Sequence, residues 1–194
     1  MPASKAEART GLPSWAVVTP RREEHITRVT ALLEAWAAVR GVGPEEAGRW
    51  RRAALLHDAL RDASEDVLAR YVALPEGWPP SLWHGVAAAA AAAADGETDA
   101  GVLDAVRYHS LGHAGWDEAG RLLYLADALE PGRRHARARL DAILARVPAA
   151  TAPALRDVTE LKLRWLALSG RRIPRETWEF WNSLVADDSS SSRF

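Results

Sequence analysis

Three histidines stand where apolar residues would continue a helical stripe or open a helix, a fourth lies on the edge of a stripe, and two aspartates complete an inward-pointing set. His25 lies four before Val29, and His57 lies one turn after Ala53 with Asp58 beside it. His84 follows Trp83 at the head of an alanine run, and His109 lies three after Val106. Asp127 lies four after Leu123, inside "LLYLADAL". A lone histidine on an apolar face is more often a hydrogen-bonded core residue than a ligand, "HD" occurs by chance, and an inward Asp can pair with an Arg. Six such groups in one small core are costly to bury separately. Imidazoles and carboxylates together are the donor set of iron, manganese, zinc and related divalent ions. A shared metal cluster would satisfy all of them at once.

The elements that must position these residues read as helices almost throughout. After an irregular lead-in or tail over 1–18, Thr19-Pro20 reads as N-cap and first helical residue. Ile26, Val29, Leu33 and Trp36 then recur at helical spacing until Gly41. Pro44 opens a second helix with the stripe Trp50, Ala53, His57, Leu60, and Ser64 starts a short third. "LPEGWPP" is a loop, a fourth helix covers about 82–94, and Thr98 is placed to cap a fifth. Asp117 is placed to cap a sixth running to Glu130. Two more follow, with stripes Leu140, Ile143, Leu144 and Leu155, Val158, Leu161, Trp165, Leu168. Pro174 opens a last one bearing Trp178, Trp181 and Val185. No run alternates long enough to be a strand, and no internal repeat is visible. The expectation is an all-α, single-domain helical bundle over 19–186, with "DDSSSSRF" (187–194) as a disordered tail.

Bulk properties bound the function. The 194 residues are enough for one sizeable core, and 48% apolar with 26% charged is ordinary for a soluble domain. A net charge of -1 gives no basic field for nucleic acid. The absence of cysteine excludes disulfides, thiolate metal sites and a cysteine nucleophile. The start, "MPASKAEART", has no signal-peptide core, and the longest apolar run, Val86 to Ala94, is too short to span a membrane. A cytoplasmic protein without membrane or nucleic-acid partners is expected.

The order His25, His57-Asp58, His84, His109, Asp127 resembles the HD superfamily of metal-dependent phosphohydrolases. The stretches "LLHD" (55–58), "HG" (84–85), "VRYHSLG" (106–112), "YLADALEPGR" (124–133) and "GRRI…TWEFWN" (170–182) resemble its bacterial YqeK branch, whose members are symmetrical diadenosine tetraphosphate hydrolases. The similarity covers roughly 21–185. The resemblance implies a helical bundle of the HD type holding two divalent transition metal ions, iron first, with manganese or cobalt as alternatives. It implies His25, His57, Asp58 and Asp127 as ligands of one ion, with Asp58 bridging to a second held also by His84 and His109. Arg61 stands where the family has a Lys three residues after the Asp, Arg133 matches the arginine of its "EPGR" motif, and both are implied as catalytic phosphate contacts. A planar guanidinium suits two phosphate oxygens; a solvated surface charge is the other reading of each.

Three departures from the branch fall near where a nucleotide would sit: His113-Ala114 replaces Arg-Pro, "RHAR" (134–137) replaces a "DFPG"-like stretch, and Ala128 replaces a tyrosine. His113 and His135 are read either as substrate contacts or as exposed loop residues, with His113 retained as a candidate. The implied reaction is attack on phosphorus by a hydroxide shared between the metals, splitting diadenosine tetraphosphate into two ADP. No Gly-rich phosphate loop is present, so a nucleotide would rest on metals and arginines. Two other readings stay open. One keeps the chemistry with a nucleoside mono-, di- or triphosphate. The other is a non-catalytic helical module that binds a nucleotide or a partner, with Trp178 and Trp181 as an interface. A homodimer is left open.

Overall fold

The computed structural model describes residues 11–132 and 137–191, and among them nine α-helices and no strand. The expected all-α class is the one observed. The helices are α1 (Pro20–Arg40), α2 (Pro44–Leu56), α3 (Glu65–Leu68), α4 (Trp83–Ala94), α5 (Ala100–Tyr108), α6 (Glu118–Leu129), α7 (Arg137–Leu144), α8 (Thr151–Leu168) and α9 (Arg175–Ser191). No helix among the described residues is long and apolar enough to cross a membrane. Arg133, Arg134 and His135 lie outside the described residues.

Local chemistry sets most boundaries. The Thr19 side chain accepts from the Arg22 amide at 3.3 Å, Pro20 takes the first turn, and Gly41 (φ 63°) ends α1 in the left-handed region. Asp117 caps α6 as expected. The cap of α5 is Asp99 rather than Thr98: its carboxylate accepts from the Val102 amide at 3.1 Å while also receiving Arg49, a second bond a hydroxyl cannot match. The lead-in is docked from residue 11 onward, with the Val17 amide on the Ala59 carbonyl (2.7 Å), the Trp15 indole on Asp95 (3.1 Å), and Ala16 buried. At the other end α9 continues to Ser191, past the expected boundary at 186.

The larger core gathers α1, α2, α5, α6, α8 and α9 around Val29, Leu33, Trp50, Leu122, Leu123 and Phe180. A smaller one packs Leu60, Leu68 and Val106 under the alanines of α4, whose short side chains let α4 lie close on α5. Leu56 borders both cores, so the residues after it enter their seam.

Two stripes differ from expectation. In α9 the buried face is Thr177, Phe180 and Leu184, while Trp178 is 47% exposed. The face is turned because Thr177 donates to the Leu111 carbonyl (2.8 Å) and Phe180 fills the space over Gly112, where a Cβ would come within 2.4 Å of the ring. In α8 the inward face holds through Val158, but Trp165 and Leu168 are exposed at 52% and 89%. Hydrophobicity marks both residues as buried; no described helix covers them.

Candidate metal centre

The expected second helix does not run to Leu60. After Leu56 the chain tightens into turns, with amide-to-carbonyl bonds from Ala59 to Leu56, Arg61 to Asp58 and Ala63 to Leu60. Neighbours on a regular helix point about 100° apart. Here both His57 (0% exposed) and Asp58 (4%) are buried. His25 comes from the second turn of α1, His84 from the first turn of α4, and His109 from the C-cap of α5. Gly85 permits the close meeting of α4 and α5: a Cβ there would lie 2.8 Å from the Arg107 carbonyl and 3.1 Å from that of Val106.

Asp58 is the hub. Its Oδ1 lies 3.1 Å from His84 Nε2 and 3.4 Å from His109 Nε2, and those two nitrogens are 3.1 Å apart. Its Oδ2 lies 3.6 Å from His25 Nε2 and 3.7 Å from His57 Nε2, which are 3.4 Å from each other. Two donor triads thus share one carboxylate: His25, His57, Asp58 and Asp58, His84, His109. Asp127 Oδ1 lies 3.2 Å from His25 Nε2.

Tautomers decide what these atoms can do. The Nδ1 of His57 sits 2.7 Å from the Ala54 carbonyl and that of His109 sits 2.8 Å from the Val106 carbonyl. A carbonyl only accepts, so each Nδ1 carries a proton and each ring turns its Nε2 inward; on His57, which burial keeps neutral, that atom is a bare lone pair. The His57 lone pair then faces the Asp58 carboxylate at 3.7 Å, acceptor against acceptor. His84 has its Nδ1 buried without a partner. Acceptors converging without enough protons are what a cation resolves, so this donor set fits a divalent metal.

Electrostatics separate the two sides. Burial pushes His57 down to about 4 and also lowers His84, leaving both neutral. Burial would also lower His25, but Asp127, Asp58 and Glu130 outweigh it and raise it. Burial alone would raise Asp58; hydrogen bonds at His109 and His84 offset this and hold it well below the ordinary carboxylate range.

Sequence reasoning missed several residues here. Arg22, one turn before His25, places Nη1 2.6 Å from Asp58 Oδ2. Glu130, 3% exposed, lies 3.3 Å from His25 Nδ1 and accepts from Arg28 Nε (2.6 Å) and the Gly132 amide (2.7 Å). Both sit three residues from a candidate ligand on the same helical face, which is the signal that could have found them. Lys162 donates to the carbonyl of Ser110, next to His109, and its Nζ lies 5.2 Å from the Tyr124 ring centre.

The centre opens into a cleft of about 1500 Å³, with Asp58, His25, His109 and Asp127 in its wall beside Arg21, Arg22, Arg28, Arg61 and Lys162. Of the candidate phosphate contacts, Arg61 is on this wall. His113 is not on it; it stacks on Tyr108, ring centres 4.6 Å apart and planes at 11°.

Comparison with known proteins gives the arrangement a family. The HD domain family matches residues 22–132, more than half of the chain and a span that includes all six candidate ligands. The symmetrical bis(5'-nucleosyl)-tetraphosphatase of Bacillus subtilis (strain 168) is 33% identical over 89 residues, which is 42% of this chain and 47% of that protein. The chain therefore spans about half the length of the curated relative it matches. A predicted HD superfamily hydrolase from Clostridium acetobutylicum, described as involved in NAD metabolism, has the same fold: TM-score 0.77 at 22% identity, over 88% of this chain and 92% of that one. The paired triads, their HD dipeptide and the helical scaffold agree with the motifs that resembled the YqeK type, and the chain belongs to the HD domain family.

Proposed function

We propose that this chain is a metal-dependent phosphohydrolase that cleaves dinucleoside polyphosphates, with diadenosine tetraphosphate split into two ADP as the leading reaction. The observation that carries the reading is one carboxylate, Asp58, shared by two histidine pairs in the wall of a cleft that also presents Arg21, Arg22, Arg28, Arg61 and Lys162. His25, His57, Asp58 and Asp127 would hold one divalent ion, and Asp58, His84 and His109 the other, iron being the first candidate and manganese or cobalt the alternatives. When bound, such ions lower the pKa of a water and withdraw charge from phosphoryl oxygens.

The chain's own residues do the rest. Asp58 sets the spacing of the two triads and accepts a hydrogen bond from the attacking water. The carbonyls of Ala54 and Val106 keep His57 and His109 in one tautomer and orientation. Arg61, Arg22 and Lys162 face the cleft and neutralise the polyphosphate, Arg61 as the catalytic phosphate contact read from sequence. Arg133 is retained in the same role. The water attacks phosphorus in line, the bridging P–O bond breaks, and ADP leaves. The relative's name supports the symmetrical cut.

The test is a nucleotide panel with products separated at low conversion, on protein whose metal has been measured. ADP alone from diadenosine tetraphosphate is expected. ATP with AMP would sink the symmetrical cut, and turnover confined to mononucleotides would replace the substrate.

A further inference from the structure

The cleft has a second wall that the phosphate chemistry does not use. Opposite in character to the arginines, it is built from Ala128 of α6, Leu140 of α7 and Val158, Leu161 and Trp165 of α8, with Lys162 between them and the metal centre. On α8 the positions 158, 161, 162 and 165 form one helical face. Its first half is core: Val158 is 6% exposed. Its second half is not, and Trp165 remains 52% exposed on the cleft wall. A bare indole costs roughly 25 cal/mol for each Å² of apolar surface left in water.

The ring is nevertheless held in place. α8 ends with the Gly170 amide on the Ala167 carbonyl and the Arg171 amide on the Leu166 carbonyl, with Gly170 left-handed at φ 63°. This closure folds Arg171 back, and its guanidinium carbon lies 4.8 Å from the Trp165 ring centre. Lys162 ties the same helix to Ser110, beside His109. Trp165 is three residues further along α8, a rise of about 5 Å. Trp165, Lys162 and the metal-centre residues thus line one cleft, with the indole one helical turn beyond the lysine.

We infer that Trp165, with Leu161 and Leu140, forms a nucleobase subsite on which the base of a nucleotide held at the metal centre stacks, while Lys162 takes a phosphate between them. The inference rests on the nucleotide reading above and adds the residue that selects a base over a bare phosphate chain. Stacking on an aromatic side chain accepts any base and contributes about 1–3 kcal/mol by alanine substitution, or about 5- to 150-fold in affinity.

The experiment measures binding rather than turnover. Calorimetric titration of metal-loaded protein with ADP and, separately, with inorganic pyrophosphate would compare wild type, Trp165→Ala and Trp165→Phe. Expected results are an ADP affinity at least fivefold weaker in Trp165→Ala, nearly restored in Trp165→Phe, and pyrophosphate affinity unchanged in both. ADP binding altered less than twofold by Trp165→Ala overturns the inference. So does equal weakening of ADP and pyrophosphate, which would mark Trp165 as structural. A loss of self-association in Trp165→Ala with ADP affinity intact assigns the ring to contact with a second copy and overturns it too. Base-dependent ADP binding in a protein that hydrolyses no dinucleoside polyphosphate would keep the subsite and remove the proposed substrate.

Discussion

α2 carries a charged cluster at each end, and the two are opposites. Near its start, Arg49 donates to Glu46 (2.8 Å), to both oxygens of Asp99 (2.6 and 3.0 Å) and to Asp117 (2.5 Å). Asp99 and Asp117 also cap α5 and α6, so one guanidinium fastens the starts of two helices to a third. Gly101 makes room for it: a Cβ there would lie 2.4 Å from Arg49 Nη2 and 2.3 Å from Asp117 Oδ2. Past the other end of α2, Asp58 meets four imidazole nitrogens beside the Arg22 guanidinium, and the His57 lone pair faces its carboxylate. At Arg49 every guanidinium nitrogen donates to a carboxylate, which is how a fold uses charge for structure. At Asp58 metal-ligating atoms converge and leave a place for something that is not protein. Matching of donors to acceptors, rather than number of charges, distinguishes scaffold from site.

The sharpest way to break this contrast is Asp58→Ala. Turnover should fall at least about 10³-fold, a loss of about 4 kcal/mol of transition-state stabilisation, and bound metal should drop, as read by elemental analysis. The helical circular dichroism should persist, because no cap depends on Asp58. Activity within about tenfold of wild type, about 1.4 kcal/mol, would show that Asp58 is not the shared ligand.

Gly85→Ala should come next. Its Cβ would press on two α5 carbonyls, separating His84 from His109 while leaving every donor atom present. A displacement near 1 Å at a catalytic constellation costs on the order of 10²-fold. The overpacking should also cost about 1–3 kcal/mol of stability, seen in a denaturant titration. Full activity in this variant would mean the second triad is not used.

Arg49→Ala should do the reverse: a smaller effect, on stability and not on kcat. Loss of a charge network at a helix junction is expected to cost about 1–2 kcal/mol, lowering Tm by several degrees. The cost should depend on pH. Chiefly its bonds to Arg49 hold Asp99 down to about 2, below its usual 3.8. A depressed carboxylate stabilises the fold above the unfolded pKa and loses that contribution as pH falls through the folded one. The gap between wild type and variant should be full at pH 5 and above and close between about pH 4 and pH 2. A gap that widened in acid would remove Arg49 as the cause.

The sequence alone determined the helical class, most helix starts and the six polar residues placed on apolar faces. These are readable because caps, prolines and glycines act within a turn of themselves, and because a buried histidine breaks a stripe visibly. Tertiary structure decided what depends on distant partners. It pairs the histidines around Asp58, adds Arg22 and Glu130 from outside the motif, and moves the α5 cap to Asp99 because Arg49 of another helix meets it there. It turns the α9 face from Trp178 to Phe180 because Gly112, 68 residues away in sequence, leaves a hole for that ring. And it leaves Trp165 in the wall of the cleft, although hydrophobicity placed it in the core. Propensity and periodicity state which face of a helix prefers to be dry; only the packing of the other helices settles whether anything arrives to cover it.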